Sequence, residues 1–483
     1  MPNTLVVDHI QKDLSETLLE LQRQAFMANS MPSLEQRRDR LTALREQLIA
    51  YQEKLAQAIT EDFGNRSQDE TLLAEILPSL QCIKFAQKSL KSWLIPRHEP
   101  VSIAYQPATA KVYYQPLGVI GIVVPWNYPL YLTIGPLVGA LAAGNRVMIK
   151  LSEYAPITSA IIKQMLAEIF TEDLVAVVEG GEEVSQKFCQ LPFNHLLFTG
   201  SSKTAVSVMK AAAENLTPVT LELGGKSPVI IADDVPMQLA AERIAFGKVL
   251  NAGQTCVAPD YILISPHRVD EFVNTYQQVI KRFYPSLVNN PDATTIINHK
   301  QYNRLQAMLA DAEIKGAELI KLLPEKDQDK TLASRLLPHY LLLNVNSSMQ
   351  VMQEEIFGPL LPIMTYNDIT DAVQFINNQP KPLALYYFGF NKEEQEYVLQ
   401  HTQSGGVAIN DTLLQVAQPN LPFGGVGQSG MGQYHGYEGF LTFSKARSVF
   451  SKGKLNTTKL IYPPYRFKKL NKWLQLVYKL FVR

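Results

Sequence analysis

Leu117-Gly118-Val119-Ile120-Gly121-Ile122-Val123-Val124 runs directly into Pro125-Trp126-Asn127-Tyr128-Pro129. A continuous apolar run of this length marks a strand buried on both faces. Prolines two residues either side of Asn127 make a rigid turn and keep helix out of it. Small and apolar residues then fill Leu130 to Ala143, the pattern of a closely packed helix, and Val147 to Lys150 reads as a second buried strand. Strand–helix–strand is the unit of a parallel, doubly wound sheet. The stretch therefore sets the fold class as α/β with a parallel, doubly wound sheet.

The alternation continues outward. Ile157 to Phe170 and Ser202 to Ala213 read as helices, and Val175 to Val178, His195 to Thr199 and Val219 to Leu223 as strands. Pro228 to Ala232 is a further strand, followed by a helix from Met237 to Leu250. Tyr261 to Ser265, Leu341 to Asn344, Leu383 to Phe390 and Gly406 to Asn410 read as strands, and Val269 to Phe283 and Asp371 to Asn378 as helices. A second α/β unit thus occupies about Gly224 to Asp411. Upstream, Ser15 to Pro96 is helical, with Pro78 expected to kink or restart a helix. Ser102 to Gln115 reads as a hairpin around Pro107, suited to an arm for subunit contact.

The 483 residues allow two or three domains. Basic and acidic side chains balance at 45 each, which gives no reason to expect nucleic acid as a partner. Cys82, Cys189 and Cys256 lie far apart and make neither a disulfide framework nor a zinc spacing; no metal site is expected. Met1 to Leu14 is polar and is not read as a secretory signal, and no apolar run is long enough to span a bilayer. A cytoplasmic location is the expectation.

The chemistry gathers in a few segments. In Asn251-Ala252-Gly253-Gln254-Thr255-Cys256-Val257-Ala258-Pro259 a cysteine stands among small and polar residues, where a thiolate nucleophile can be reached. A lone cysteine is more often a small core residue, and its neighbours upstream reverse that balance. Glu222 ends a strand before Gly224-Gly225-Lys226. Burial there raises its pKa toward that of a general base, and pairing with Lys226 is the duller account. Phe198-Thr199-Gly200-Ser201 ends a strand where a helix begins, a place for a pyrophosphate or simply a turn. Lys150 and Glu153 follow another strand end, able to meet ribose hydroxyls or to form a solvated pair. Glu354-Glu355-Ile356-Phe357-Gly358-Pro359 alone reads best as an acidic turn with Phe357 in the core. Its other reading is a clamp on ribose and nicotinamide. Leu421-Pro422-Phe423-Gly424-Gly425-Val426-Gly427 lacks a phosphate-loop pattern and reads as a tight crossing that presents Phe423 to an apolar channel.

Taken together, and in this order, Pro125-Trp126-Asn127-Tyr128-Pro129, Phe198-Thr199-Gly200-Ser201, Glu222-Leu223-Gly224-Gly225-Lys226, Gly253-Gln254-Thr255-Cys256 and Glu355-Ile356-Phe357-Gly358-Pro359 resemble the aldehyde dehydrogenase superfamily. The wording around Cys256 and from Leu421 to Gly432 is similar to its class 3 branch, which includes fatty aldehyde dehydrogenases. The resemblance implies a Rossmann-type NAD(P)-binding domain from 1–100 and 116–222 and an α/β catalytic domain from 223–411. It also implies a small β oligomerisation segment from 101–115 and 412–450, and a homodimer. It implies Cys256 as nucleophile, Glu222 as base for thioester hydrolysis to a free acid, and Asn127 as oxyanion donor. NAD or NADP would be held by Lys150, Glu153, Gly200, Ser201, Leu223, Glu355 and Phe357, with Tyr128 and Phe423 along the substrate channel. Ala205 stands where the family often has glycine, and Leu151 where it usually has proline. The expected substrates are medium- or long-chain apolar aldehydes. Aromatic or apocarotenoid aldehydes are the alternative, and an idle dinucleotide-binding structural protein is the alternative of another class.

No acidic residue follows Glu438, and residues 451–483 form a basic tail. Phe467, Leu470, Leu474, Val477 and Phe481 fall at helical spacing with lysines opposite. That is the pattern of an interfacial anchor, and peripheral membrane contact through 466–483 is expected ahead of docking on protein.

Overall fold

A computed structural model describes residues 4–328 and 330–456, and beyond them residues 462, 463, 472, 475, 476, 478, 479 and 482. The amphipathic helix expected over 466–483 lies largely outside the described residues.

The opening apolar run forms the strand Val119–Val123, buried at every residue. It pairs in parallel with Arg146–Lys150 on one side and His195–Thr199 on the other. The crossover helix Tyr131–Ala143 is buried along nearly its whole length and ends at Gly144, whose φ is 96°. The Arg37 guanidinium caps that end, donating to the carbonyls of Ala142 (2.9 Å) and Ala143 (2.7 Å). The whole sheet runs Gly430–Met431, Val219–Glu222, His195–Thr199, Val119–Val123, Arg146–Lys150, Val175–Val178. Only the first of these strands is antiparallel to its neighbour. The chain steps outward in one direction from Val119–Val123 and then returns to its other side at His195–Thr199. The carboxyl ends of those two strands make the topological switch point, where doubly wound sheets hold their ligands.

A second sheet runs Glu318–Leu322, His339–Leu343, Leu360–Thr365, Tyr261–Ile264, Pro228–Ile231, Ala384–Phe388, Gly406–Ile409, with only the first strand antiparallel. A third joins Arg97–Glu99, Thr109–Pro116 and Ser444–Ser451. Here the hairpin expectation is corrected. Its first strand lies at Arg97–Glu99, Ile103–Tyr105 is a short 3₁₀ turn, and the longer partner of Thr109–Pro116 is Ser444–Ser451. Ser444–Ser451 is almost entirely exposed, so its sequence carries no buried face to announce it.

The N-terminal helix is longer than expected, Thr4–Ala28, with Leu18 and Leu19 buried against the first sheet. Pro78 sits in the first turn of the helix Leu77–Trp93, just after a π turn at Leu72–Ile76, so the proline restarts a helix. No helix among the described residues is long and apolar enough to cross a membrane.

Candidate active site

Cys256 leaves a strained turn. The helix Met237–Val249 passes into Leu250–Gly253, where Asn251, Ala252 and Gly253 take φ of 53°, 51° and 73° in succession. Left-handed backbone at a non-glycine costs roughly 1–2 kcal/mol per residue, so the surroundings must hold it. Asn251 N–H donates to Glu70 Oε1 (3.0 Å), and its side-chain amide to the Asn127 carbonyl (2.9 Å). Gln254 is fully buried and satisfied. It donates to the carbonyls of Asn251 (3.0 Å) and Thr295 (3.1 Å) and accepts from Ile297 N–H (3.0 Å). A Cβ at Gly253 would stand 2.4 Å from the Gly358 carbonyl oxygen, so glycine is needed for space as well as for φ. The cysteine motif and the Glu355–Pro359 motif therefore interlock. Cys256 itself is half-buried, and Thr255 beside it shares a 2.7 Å hydrogen bond with the Tyr128 hydroxyl.

Asn127 is placed by a buried ion cluster that the sequence does not advertise. Arg66 pairs with Glu75 (2.9 Å) and Glu70 (3.1 Å), and its Nη1 also donates to the Asn127 carbonyl (3.3 Å). Its guanidinium lies over the Tyr128 ring at 5.0 Å. Glu75 Oε2 accepts from Leu130 and Tyr131 N–H (2.8 and 3.1 Å), capping the crossover helix. Burial works against the Arg66 charge, yet Glu75 and Glu70 outweigh it and hold the guanidinium above its ordinary pKa. One guanidinium thus ties together the π turn Leu72–Ile76, the Asn127 turn and, through Glu70, the loop before Cys256. Arg66→Ala should destabilise the fold by about 3–5 kcal/mol, because it strands two buried carboxylates. Urea unfolding checks this, and a loss below about 1 kcal/mol would mean that water reaches the cluster. The Asn127 side-chain amide donates to the Gln254 carbonyl (3.2 Å), two residues before the cysteine.

Glu222 ends its strand with both carboxylate oxygens buried and without a partner among the described residues. Burial alone pushes its pKa well above the ordinary carboxylate value. It does not pair with Lys226, which bonds Asp260 and the carbonyls of Val351 and Glu354. The Glu355 carboxylate lies on Gly224, where a Cβ would come within 2.1 Å of it. Burial first, and Asp260 second, push Glu355 up to about 8. It is not a solvated turn residue: Glu354 is exposed, but Glu355 turns inward and its Oε1 is also unpartnered. The Cys256 thiol is pushed up to about 12, first by burial and then by the charges of Glu355 and Glu222. Both carboxylates therefore lie near enough for their charges to act on the sulfur.

Burial and the two carboxylates thus favour the thiol over the thiolate. Without cofactor, alkylation of Cys256 by iodoacetamide should rise about tenfold per pH unit from about pH 7 to about pH 9, following the small thiolate fraction below the pKa. A rate flat across that range would show a thiolate already present. Cys82 and Cys189 are buried with raised pKa values and leave the assay clean.

The remaining residues surround the switch point. Lys150 is buried at its strand end, donates to the Leu151 carbonyl (2.6 Å) and lies 3.8 Å from Glu153, which is exposed. Gly200 N–H donates to the Glu222 carbonyl (3.0 Å), binding those two motifs together. Ser201 is exposed and caps the helix Ser202–Ala213, accepting from Thr204 N–H (3.2 Å). Leu223 is buried, and its N–H donates to the Ser429 carbonyl (3.1 Å). Phe357 takes a φ of 51° and packs edge-on against Trp126 at 5.4 Å. Glu153 and Ser201 are both exposed. Three unpartnered carboxylate oxygens beside a switch point fit a group that brings hydroxyl donors and positive charge, as a nicotinamide dinucleotide does. The Ala205 methyl is buried without disturbing the helix.

A channel of about 630 Å³ opens on the sulfur from the other side. Thr255, Cys256 and Val257 line it, and Phe85, Tyr128, Tyr131, Phe246, Phe423 and Tyr434 supply aromatic walls. Phe423 is fixed by backbone pairing with Tyr434 and by stacking on His435 at 5.1 Å.

A doubly wound sheet whose switch point faces a sulfur and unpaired carboxylates defines a dinucleotide-dependent oxidoreductase. Residues 6–449 match the family described as "Aldehyde dehydrogenase family". The chain is 58% identical to a probable coniferyl aldehyde dehydrogenase of Pseudomonas aeruginosa over 97% of its length and 96% of the relative's. It is 38% identical to aldehyde dehydrogenase family 3 member B1 of Rattus norvegicus, covering 95% and 96%. Among solved structures, substrate-bound Staphylococcus aureus AldH superposes with a TM-score of 0.89 at 37% identity, covering 96% of this chain and 99% of that one. An indole-3-acetaldehyde dehydrogenase complexed with NAD+ gives 0.82 at 26% identity, covering 91% and 89%. The chain belongs to the aldehyde dehydrogenase family. Within it the chain falls in the class 3 branch, as an NAD(P)-dependent aldehyde dehydrogenase.

Proposed function

We propose that the protein oxidises apolar aromatic aldehydes to their free acids through Cys256. The aromatic walls of the channel that ends at the sulfur carry this reading. Flat rings gain offset and edge-on contacts there that a flexible alkyl chain does not, and an alkyl chain loses more rotamer freedom on entry. The coniferyl relative points the same way.

The Cys256 sulfur adds to the aldehyde carbon and its proton passes to a neighbouring base; Glu222 and Glu355 are the carboxylates whose charges reach it. The developing oxyanion takes hydrogen bonds from the Asn127 amide and the Cys256 N–H, each typically worth about 3–4 kcal/mol of barrier. Lys150, Glu153, Gly200, Ser201, Leu223, Glu355 and Phe357 are the residues that would hold the dinucleotide, with the carboxylates and the lysine suited to its ribose hydroxyls. NAD(P)+, when bound, would supply the hydride acceptor that turns the thiohemiacetal into a thioester. Glu222 then takes a proton from water, whose oxygen displaces the sulfur and releases the acid. The raised pKa of Glu222 suits it to that work near neutral pH.

The test is a substrate panel followed at the NADH absorbance. An aryl or cinnamyl aldehyde should exceed a straight-chain aldehyde of equal length by about tenfold in kcat/KM. A preference for the straight chain would restore fatty aldehydes as the substrate class.

A further inference from the structure

The helix Leu77–Trp93 gives the channel one stripe of its surface: Leu77, Gln81, Lys84 and Lys88, spaced by four, three and four residues. Such spacing puts all four on one face. Lys84 and Lys88 are the charged residues that line this channel, and no aspartate or glutamate does. Both are exposed, and neither makes an ion pair or hydrogen bond with another described residue. The rest of the lining is mainly apolar, with Gln81, Gln418, Thr255 and the hydroxyls of Tyr128, Tyr131 and Tyr434 as the polar neutral groups. Two unneutralised ammonium groups along a wall of low polarity make a local positive field that a neutral aldehyde does not use.

We propose that Lys84 and Lys88 select aldehydes whose end remote from the carbonyl carries an anionic oxygen. The proposal rests on the reading that aldehydes reach Cys256 through this channel. An apolar body fills the aromatic walls while the far oxygen sits between two cations one helical turn apart. A carboxylate offers that oxygen outright. A phenol conjugated through its ring to the aldehyde offers it as the phenol ionises. Exposed lysines act mainly through capture and steering, so the preference belongs in KM and weakens with salt. If the lysines served the channel only through their methylene stems, glutamine would alter charged and neutral substrates alike.

The experiment compares kcat/KM for two matched pairs. One pair is a straight-chain aldehyde ending in carboxylate against one ending in methyl. The other is 4-hydroxycinnamaldehyde against its 4-methoxy analogue. The enzymes are the wild type, Lys84→Gln/Lys88→Gln and Lys84→Glu/Lys88→Glu, each at low and high salt. The wild type should favour the charged member by about five- to tenfold at low salt, through KM, and less at high salt. The glutamine variant should erase the preference while leaving neutral aldehydes within about twofold, and the glutamate variant should invert it. A preference confined to the carboxylate pair identifies that anion. One confined to the cinnamaldehyde pair, and growing with pH, identifies the phenolate. A charged-to-neutral ratio that the glutamine variant leaves unmoved in both pairs overturns the proposal. Ala417→Trp, which narrows the channel, separates this from the underlying reading. If neutral-aldehyde turnover survives that substitution unchanged, the channel is not the aldehyde's route.

Discussion

Cys256→Ser should lower aldehyde oxidation by roughly three orders of magnitude or more while leaving NAD binding nearly intact. A serine hydroxyl is a far weaker nucleophile than a thiolate and a poorer leaving group from the acyl stage. The substitution changes little else: the side chain is nearly isosteric, and the loop is held by Gln254, Asn251 and Glu70 rather than by the sulfur. Circular dichroism and NAD titration should therefore match the wild type. Residual oxidation within about tenfold of the wild type would remove the sulfur from the chemistry and turn attention to the carboxylates.

Glu222→Gln should have the next largest effect, a fall of about 10²–10⁴ in steady-state turnover, the usual worth of a positioned general base. The loss should fall after the redox step. Rapid mixing should show a burst of close to one NADH per active site followed by a slow phase, because the acyl group forms and then waits for water. Removing the carboxylate also removes one of the charges that raise the Cys256 pKa, so alkylation without cofactor should speed up. A burst lost together with turnover would instead give Glu222 the earlier task of accepting the thiol proton. Turnover within about twofold of the wild type would leave the hydrolysis base to be found elsewhere.

Local pattern carried much of the fold. The run before Pro125 could only be a strand buried on both faces, and it lies at the middle of the first sheet, fully buried. Elements with weaker apolar contrast are harder to read. His299–Ile314 has Leu305, Met308, Leu309 and Ala312 at helical spacing, but polar and charged residues dilute it. Ser444–Ser451 has no buried face and owes its structure to its neighbour. At the site, single residues that must be what they are, such as Cys256, Asn127 and Gly253, stand out by type. Their supports do not. Arg66, Glu70 and Glu75 have the composition of a solvated helix surface, and only tertiary packing makes them a buried cluster. The Glu355 carboxylate likewise gains its environment from Gly224 and Asp260, residues remote from it in the chain. Burial is a property of the assembled fold, so the state of a titrating group is the last thing a linear reading yields.

The strand that ends in Glu222 has Gly430–Met431 as its outer neighbour, and Leu223 leans on Ser429. A ribosome making this chain delivers the thiol long before it delivers Gly430. Throughout that interval the segment bearing the carboxylate has only one flank in place. Premature termination anywhere between the two leaves a product with its sulfur but without the edge that seats its acid, which ties completion of the site to completion of synthesis.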